Sequence, residues 1–280
     1  MTSKAEFYDR EYNPRLLVRD PAALFAGWAV RSKAARDELR GHVDLAYGAG
    51  SRETLDLYPA APNAPLLVFI HGGFWRFTAK EDYLWLVPPF LAAGISVALV
   101  EYELAPKVSI ATINDQSLRA IAWLHANADA YGYRRDRIVV SGHSAGGQLA
   151  AMSACADWPR IQPGLPADVV HAVLAISGLF ELQPVQETPY LKAELRMTDE
   201  EVARFSPVFH TPRPGLPVVT AVGADESDEF KRQTALLAQC WPGSVKQQLS
   251  LANAHHYTAC ELLADPNGPL FQAAMGLCRA

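Results

Sequence analysis

The chain has 280 residues, half of them hydrophobic and a fifth charged, with a net charge of −5. That is enough apolar material for one large core, and we read the chain as one domain. Its charges are scattered and not gathered in blocks, which gives no electrostatic basis for binding nucleic acid or an anionic membrane. The opening MTSKAEFYDREYNPR carries charges and aromatics where a secretory leader needs an apolar stretch. No later run reaches the roughly 18 apolar residues that span a bilayer, so the expected location is the cytoplasm. Cys155, Cys240, Cys260 and Cys278 stand alone without metal-ligand spacing. They are expected as reduced, buried thiols, with no metal and no cofactor implied.

The first twenty residues read as an extended arm. A helix is expected from Pro21 to Arg40, where Asp20 caps, Pro21 suits the first turn, and Leu24, Phe25 and Trp28 recur at helical spacing. His42 to Tyr47 and Thr54 to Tyr58 alternate around GAGSRE as a hairpin. The pattern then changes to short runs that are apolar throughout, as strands covered on both faces must be. These are Leu66 to Ile70, Ile95 to Val100, Arg137 to Val140, Val169 to Ile176 and Val218 to Val222. Helical stretches at Tyr83 to Ala93, Ile113 to Ala130, Ala145 to Cys155 and Glu229 to Cys240 are long enough to cross between parallel strands. With a last strand near Gln247 to Leu251 and a closing helix, the expected fold is α/β, a mostly parallel twisted sheet of about eight strands flanked by helices. The segment from Glu181 to Pro214 breaks the alternation and reads as a lid-like insertion, with Thr198 and Glu201 spaced as a capping box.

Between the strand RIVV and the helix after it lies SGHSAGG, so Gly142, Ser144 and Gly146 form a GxSxG motif at a strand-to-helix turn. Such an elbow forces strained angles on the serine and lifts its hydroxyl off the sheet edge, with the following helix dipole aimed at developing negative charge. The competing use of Ser144 is as an ordinary N-cap. A second motif favours the chemical use: the strand LLVFI ends in His71, Gly72, Gly73, Phe74 and Trp75. An HGG loop at that place supplies oxyanion donors in the α/β-hydrolase fold, here the backbone amides of Gly72, Gly73 and Ala145. His71 itself reads as structural.

Chain order in that fold is serine, carboxylate, histidine, which leaves His171, His210, His255 and His256 as candidate bases. His171 and His210 fall near strand starts, whereas reactive loops of a parallel sheet lie at strand C-terminal ends. His256 is favoured, since Tyr257 and Thr258 begin the next helix, and His255 stays an alternative. Asp225 follows the strand VVTAV through Gly223 and Ala224 and is the expected carboxylate that fixes the His256 tautomer. A capping role for Asp225 would leave Asp228 or Glu226 to take its place.

With these residues in hand, the sequence resembles the kynurenine formamidase (arylformamidase) branch of α/β-hydrolases, related to the hormone-sensitive-lipase-like esterases. EYNPR, HGGFW, GHSAGG, VGADESDEF and HHYTACELL follow that family's order, while Phe74, Glu103 and Tyr257 depart from residues frequent in it. The resemblance implies hydrolysis of N-formylkynurenine, or of a related aryl amide or ester, with water and that small molecule as partners. Phe74, Trp75, Phe180 and Tyr190 are expected beside the site to stack on an aryl ring, and Arg76 is a candidate for a substrate carboxylate. A general carboxylesterase with the same residues and a non-catalytic binding protein on the same scaffold are the rival readings. Pairing of two chains into a homodimer stays open.

Overall fold

The computed structural model describes residues 3–280. Eight strands form one sheet: β1 (His42–Ala46), β2 (Thr54–Tyr58), β3 (Ala64–Ile70), β4 (Ser96–Val100), β5 (Tyr133–His143), β6 (Ala172–Ile176), β7 (Val218–Gly223) and β8 (Val245–Leu251). Their order is β1-β2-β4-β3-β5-β6-β7-β8. The β1–β2 and β2–β4 pairs are antiparallel, and every other pair is parallel. This is the expected α/β-hydrolase sheet. No helix among the described residues is long and apolar enough to cross a membrane.

The unbroken apolar runs have a simple reason. Successive strand side chains point to opposite faces, and both faces are covered. Leu66, Val68 and Ile70 of β3 join one core with Val140 and Val173, while Leu67 and Phe69 join the other with Val139 and Leu174. Ile110–Ala126, Ala145–Ala154 and Asp228–Cys240 cover the first face, contributing Ile113, Leu149 and Leu237. Pro21–Glu38, Val87–Ala92 and Pro269–Arg279 cover the second, contributing Trp28, Phe90 and Phe271. Each such apolar side chain taken fully from water contributes roughly 1.5–3 kcal/mol.

Several boundaries differ from the sequence reading, each for a local reason. The arm expected over the first twenty residues is not extended where it is described, from residue 3 on, residues 1–2 lying outside the described residues: Lys4–Glu11 is a helix begun by a Ser3–Glu6 capping box, and Pro14–Leu17 is a 3-10 turn. Tyr12 anchors this arm, donating its hydroxyl to Glu229 at 2.7 Å and accepting from Gln233 at 2.8 Å. The expected helix from Tyr83 is a 3-10 turn, Lys80–Leu86, running into Val87–Ala92. Pro88 and Pro89 have no amide to donate and are tolerated only where a helix starts. Strand β6 begins three residues later than expected, at Ala172. Thr198 and Glu201 do form a capping box, at the start of Asp199–Phe205 within the 181–214 segment. All four cysteines are free, and Cys240 is exposed, against the expectation of burial.

The parallel strands place their C-terminal ends along one edge of the sheet. His71 follows β3, Ser144 follows β5, Ser177 follows β6, Glu226 lies three residues past β7 and His256 five past β8.

Candidate active site

Ser144 sits at the strand-to-helix turn with φ 58° and ψ −118°, a left-handed conformation that a non-glycine residue holds only when its surroundings impose it. What imposes it is visible. The Ser144 amide donates to the Ile176 carbonyl at 2.8 Å, and the Ser144 carbonyl accepts from Gly147 at 2.9 Å and Gln148 at 3.2 Å. Close packing demands glycine beside it, since a Cβ on Gly146 would lie 2.0 Å from the Ile70 carbonyl oxygen. Ala145 opens the helix, so its amide has no carbonyl one turn back and is free to serve a ligand.

The HGG loop is held from behind. Its carbonyls are engaged: the Tyr102 hydroxyl donates to His71 O at 2.9 Å, and Thr78 Oγ1 donates to Gly72 O at 2.9 Å. Because a trans peptide sets its N–H opposite its C=O, pinning those two carbonyls turns the amides of Gly72 and Gly73 the other way. Gly72 packs on Ser144, for a Cβ there would lie 3.1 Å from Ser144 Cβ. Gly73 has φ +99°, and a Cβ there would lie 2.1 Å from the Phe77 carbonyl oxygen, so no other residue fits. Behind the loop, His71 Nε2 donates to the buried Glu101 at 2.9 Å and its ring stacks on Tyr102 with centroids 4.2 Å apart. His71 is therefore structural, as read from the sequence.

His256 is buried, packed between the rings of Phe230 (4.3 Å) and His143 (4.5 Å). Its Nδ1 lies 2.6 Å from Glu226 Oε2, and Glu226 Oε1 accepts from the Gly223 amide at 2.7 Å and from the Ser177 hydroxyl. Asp225 is not that partner. Its side chain is exposed while its amide donates to Ala254 O at 3.0 Å, so the carboxylate expected at 225 is supplied by Glu226, one residue on. His255 is also set aside, since it caps its own helix, with Nδ1 accepting from the Thr258 amide at 3.3 Å.

Ser144, His143, Gly73, Phe74 and His256 line one cavity of about 20 Å³, room for one or two waters. Both Ser144 and His256 line this cavity, and no hydrogen bond among the described residues joins Ser144 Oγ to the His256 ring. His143 has burial first, then the neighbouring His256, holding its pKa well below the ordinary histidine value. Neutral, it donates Nε2–H to the His256 carbonyl at 2.8 Å, which leaves its buried Nδ1 a bare acceptor without a partner.

The expected aromatic contacts divide. Phe74 lines the Ser144 cavity. Trp75 does not: it is fully buried in the core, its indole N–H donating to Gln148 at 3.2 Å. Phe180 is core as well. Tyr190 lines an adjoining cavity, edge-on to Phe74 at 6.2 Å, and donates its hydroxyl to Tyr12 O. Arg76 is already paired with Glu194 at 2.5 Å. Sequence reasoning missed the walls supplied by Pro14, Phe25, Trp28, Phe77 and Tyr257. In the sequence Phe25 and Trp28 read only as the apolar stripe of a helix.

A buried serine on an elbow, an imidazole fixed by a carboxylate, and a glycine loop packed on that serine with its carbonyls engaged elsewhere are the parts that acyl transfer through a covalent intermediate requires. The sequence profile of the BD-FAE family matches residues 55–218. A kynurenine formamidase of Salmo salar is 29% identical over 252 residues, covering 86% of this chain and 83% of its own. One of Danio rerio is 27% identical, covering 94% and 90%. A solved structure from Silicibacter sp. tm1040, provisionally described as a thioesterase, superposes with a TM-score of 0.84 at 30% identity, covering 94% of this chain and 97% of that one.

Proposed function

We propose, for a chain that belongs to the BD-FAE family and is a hydrolase of the α/β-hydrolase fold, that it is an arylformamidase cleaving N-formylkynurenine or a close aryl formamide. The observation that carries this reading is the confined cavity at Ser144, about 20 Å³ and walled by aromatics, which suits a one-carbon acyl group attached to an aryl leaving group. The names of the two fish relatives support it.

In this reading Ser144 Oγ attacks the formyl carbon as His256 takes the hydroxyl proton. The oxyanion is held by the amides of Gly72, Gly73 and Ala145, each donor contributing about 3 kcal/mol in the transition state. Glu226 holds the imidazole in the tautomer with Nδ1–H and steadies the imidazolium. The C–N bond then breaks, and His256 returns the proton to the departing aryl amine. Water, deprotonated by His256, attacks the formyl-serine, the Ser144–acyl bond breaks, and formate leaves with Ser144 reprotonated. Glu194 on Arg76, and Tyr190 against Phe74, support a lid role for the 181–214 segment.

The test compares kcat/KM for N-formylkynurenine, for formyl, acetyl and butyryl anilides, and for a short p-nitrophenyl ester. Formyl substrates are expected to lead acetyl by about tenfold or more, the usual discrimination by one methyl in a tight pocket. A preference of more than about tenfold for the ester over N-formylkynurenine overturns the reading in favour of a carboxylesterase.

A further inference from the structure

We propose that the cavity bounded by Arg15, Phe25, Trp28, Phe77, Thr78 and Asp82 is a subsite for an α-amino-acid head group, with Arg15 receiving the carboxylate and Asp82 the ammonium of the substrate whose acyl group sits at Ser144. The inference rests on the formamidase reading and adds to it the part of the substrate that is recognised.

Three observations carry it. The first is space. This cavity holds about 220 Å³, against about 20 Å³ at Ser144, and the two share Phe25, Trp28, Phe77 and Thr78 as walls, so the larger chamber adjoins the one at Ser144. The second is charge. Beside the aromatic walls Phe25, Trp28 and Phe77 and the hydroxyl of Thr78, the chamber contains one cation and one anion that make no ion pair with each other or with any other side chain among the described residues. The neighbouring Arg76, by contrast, is committed to Glu194. Arg15 is exposed and Asp82 half-buried, so each can meet a ligand group from solvent; a zwitterion engages both charges at once, where a carboxylate-only or ammonium-only ligand engages one.

The third is fixation. Arg15 projects from a 3-10 turn locked by the buried Pro14, and its guanidinium lies over the Phe77 ring at 5.3 Å. Asp82 stands at the third position of Lys80–Leu86, where Oδ2 accepts the Ala79 amide at 3.0 Å. Its other oxygen has no partner among the described residues. Groups already held in place lose little freedom when a ligand binds, which is what makes two modest contacts discriminating. The arm that the sequence suggested was extended thus folds into a turn that sets a cation at the mouth of the site.

The experiment measures kcat/KM for N-formylkynurenine and for ortho-formamidoacetophenone, the same aryl formamide without the amino-acid head, and takes their ratio within each protein. A ratio is independent of the fraction folded, so a poorly folding variant still reports. The wild type is expected to favour N-formylkynurenine by about tenfold or more, and Arg15→Gln and Asp82→Asn each to reduce that ratio by about tenfold, through KM. Arg15→Lys should restore part of it. A ratio near one in the wild type, or a ratio unchanged in both variants, overturns the subsite while leaving the formamidase reading intact. Failure of the wild type to cleave either formamide while it cleaves an ester removes the formamidase reading, and this inference with it.

Discussion

Glu226 and His256 are joined by a 2.6 Å contact between Oε2 and Nδ1, in a place where neither side chain meets solvent. The exposed Asp225 beside them makes no such contact. The two carboxylates can be separated by substitution. Glu226→Gln keeps the shape but supports the wrong imidazole tautomer, and kcat is expected to fall by roughly 10³–10⁴. Asp225→Asn should leave kcat within about twofold, as for surface changes away from the chemistry. Steady-state rates on any turned-over acyl substrate check this, and the reverse pattern would return the role to Asp225.

Why the sequence pointed one residue short is physical. Glu226 N–H donates to the Gly223 carbonyl at 3.2 Å, so residues 223–226 form a tight turn. Asp is favoured inside such turns for local reasons, and a strand-end position says which loop carries the carboxylate without saying which of its side chains turns inward. Gly223 held the missing signal: a Cβ there would lie 2.2 Å from the Ala254 carbonyl oxygen, and that close approach brings the loop against the one carrying His256. The elbow and the HGG loop were legible because their glycines are required by backbone contact, which letters record directly. The sheet was legible because both of its faces are buried. The cavity walls were not, since Phe25 and Trp28 reach the site from a helix far away in sequence.

Trp75 tests a second correction. Consecutive positive φ angles at Gly73, Phe74 and Trp75 send Phe74 to the cavity and Trp75 to the core. Trp75→Ala is expected to cost about 3–5 kcal/mol of stability, from the cavity left and the unpaired Gln148 amide oxygen. Denaturant unfolding measures it. A substrate-stacking Trp75 would instead raise KM with the midpoint unmoved.

Glu101 links the HGG loop to pH. It accepts from Arg52 at 2.7 Å, His71 at 2.9 Å, the Tyr102 amide at 2.9 Å and the Lys80 amide at 3.1 Å. Burial alone would raise its pKa, but His71, Arg52 and the Tyr102 amide outweigh burial and hold it below the ordinary value of 4.5. A carboxylate with a depressed folded pKa stabilises above its unfolded pKa, and that stabilisation is lost as pH falls through the folded value. Wild-type stability should therefore decline below about pH 4.5. Glu101→Gln should be less stable by about 2 kcal/mol at pH 7 and should lack that part of the acid limb. Denaturant midpoints across pH 3 to 7 check both, and parallel curves for the two proteins would contradict the assignment.

Gly73→Ala probes the loop itself. The left-handed φ and the clash with the Phe77 carbonyl must displace the peptide carrying the Gly73 amide. The expected loss is about 10²-fold or more in kcat, the usual effect of removing one oxyanion donor. A fall confined to KM would place the loop in binding alone.

Ser144 Oγ is the proposed site of acylation. Treatment with a fluorophosphonate followed by peptide mass analysis tests this most directly: one adduct per chain is expected, on the peptide containing Ser144, absent in Ser144→Ala and slowed in Glu226→Gln. Stoichiometric labelling of another residue, or full formamide turnover by Ser144→Ala, would contradict it.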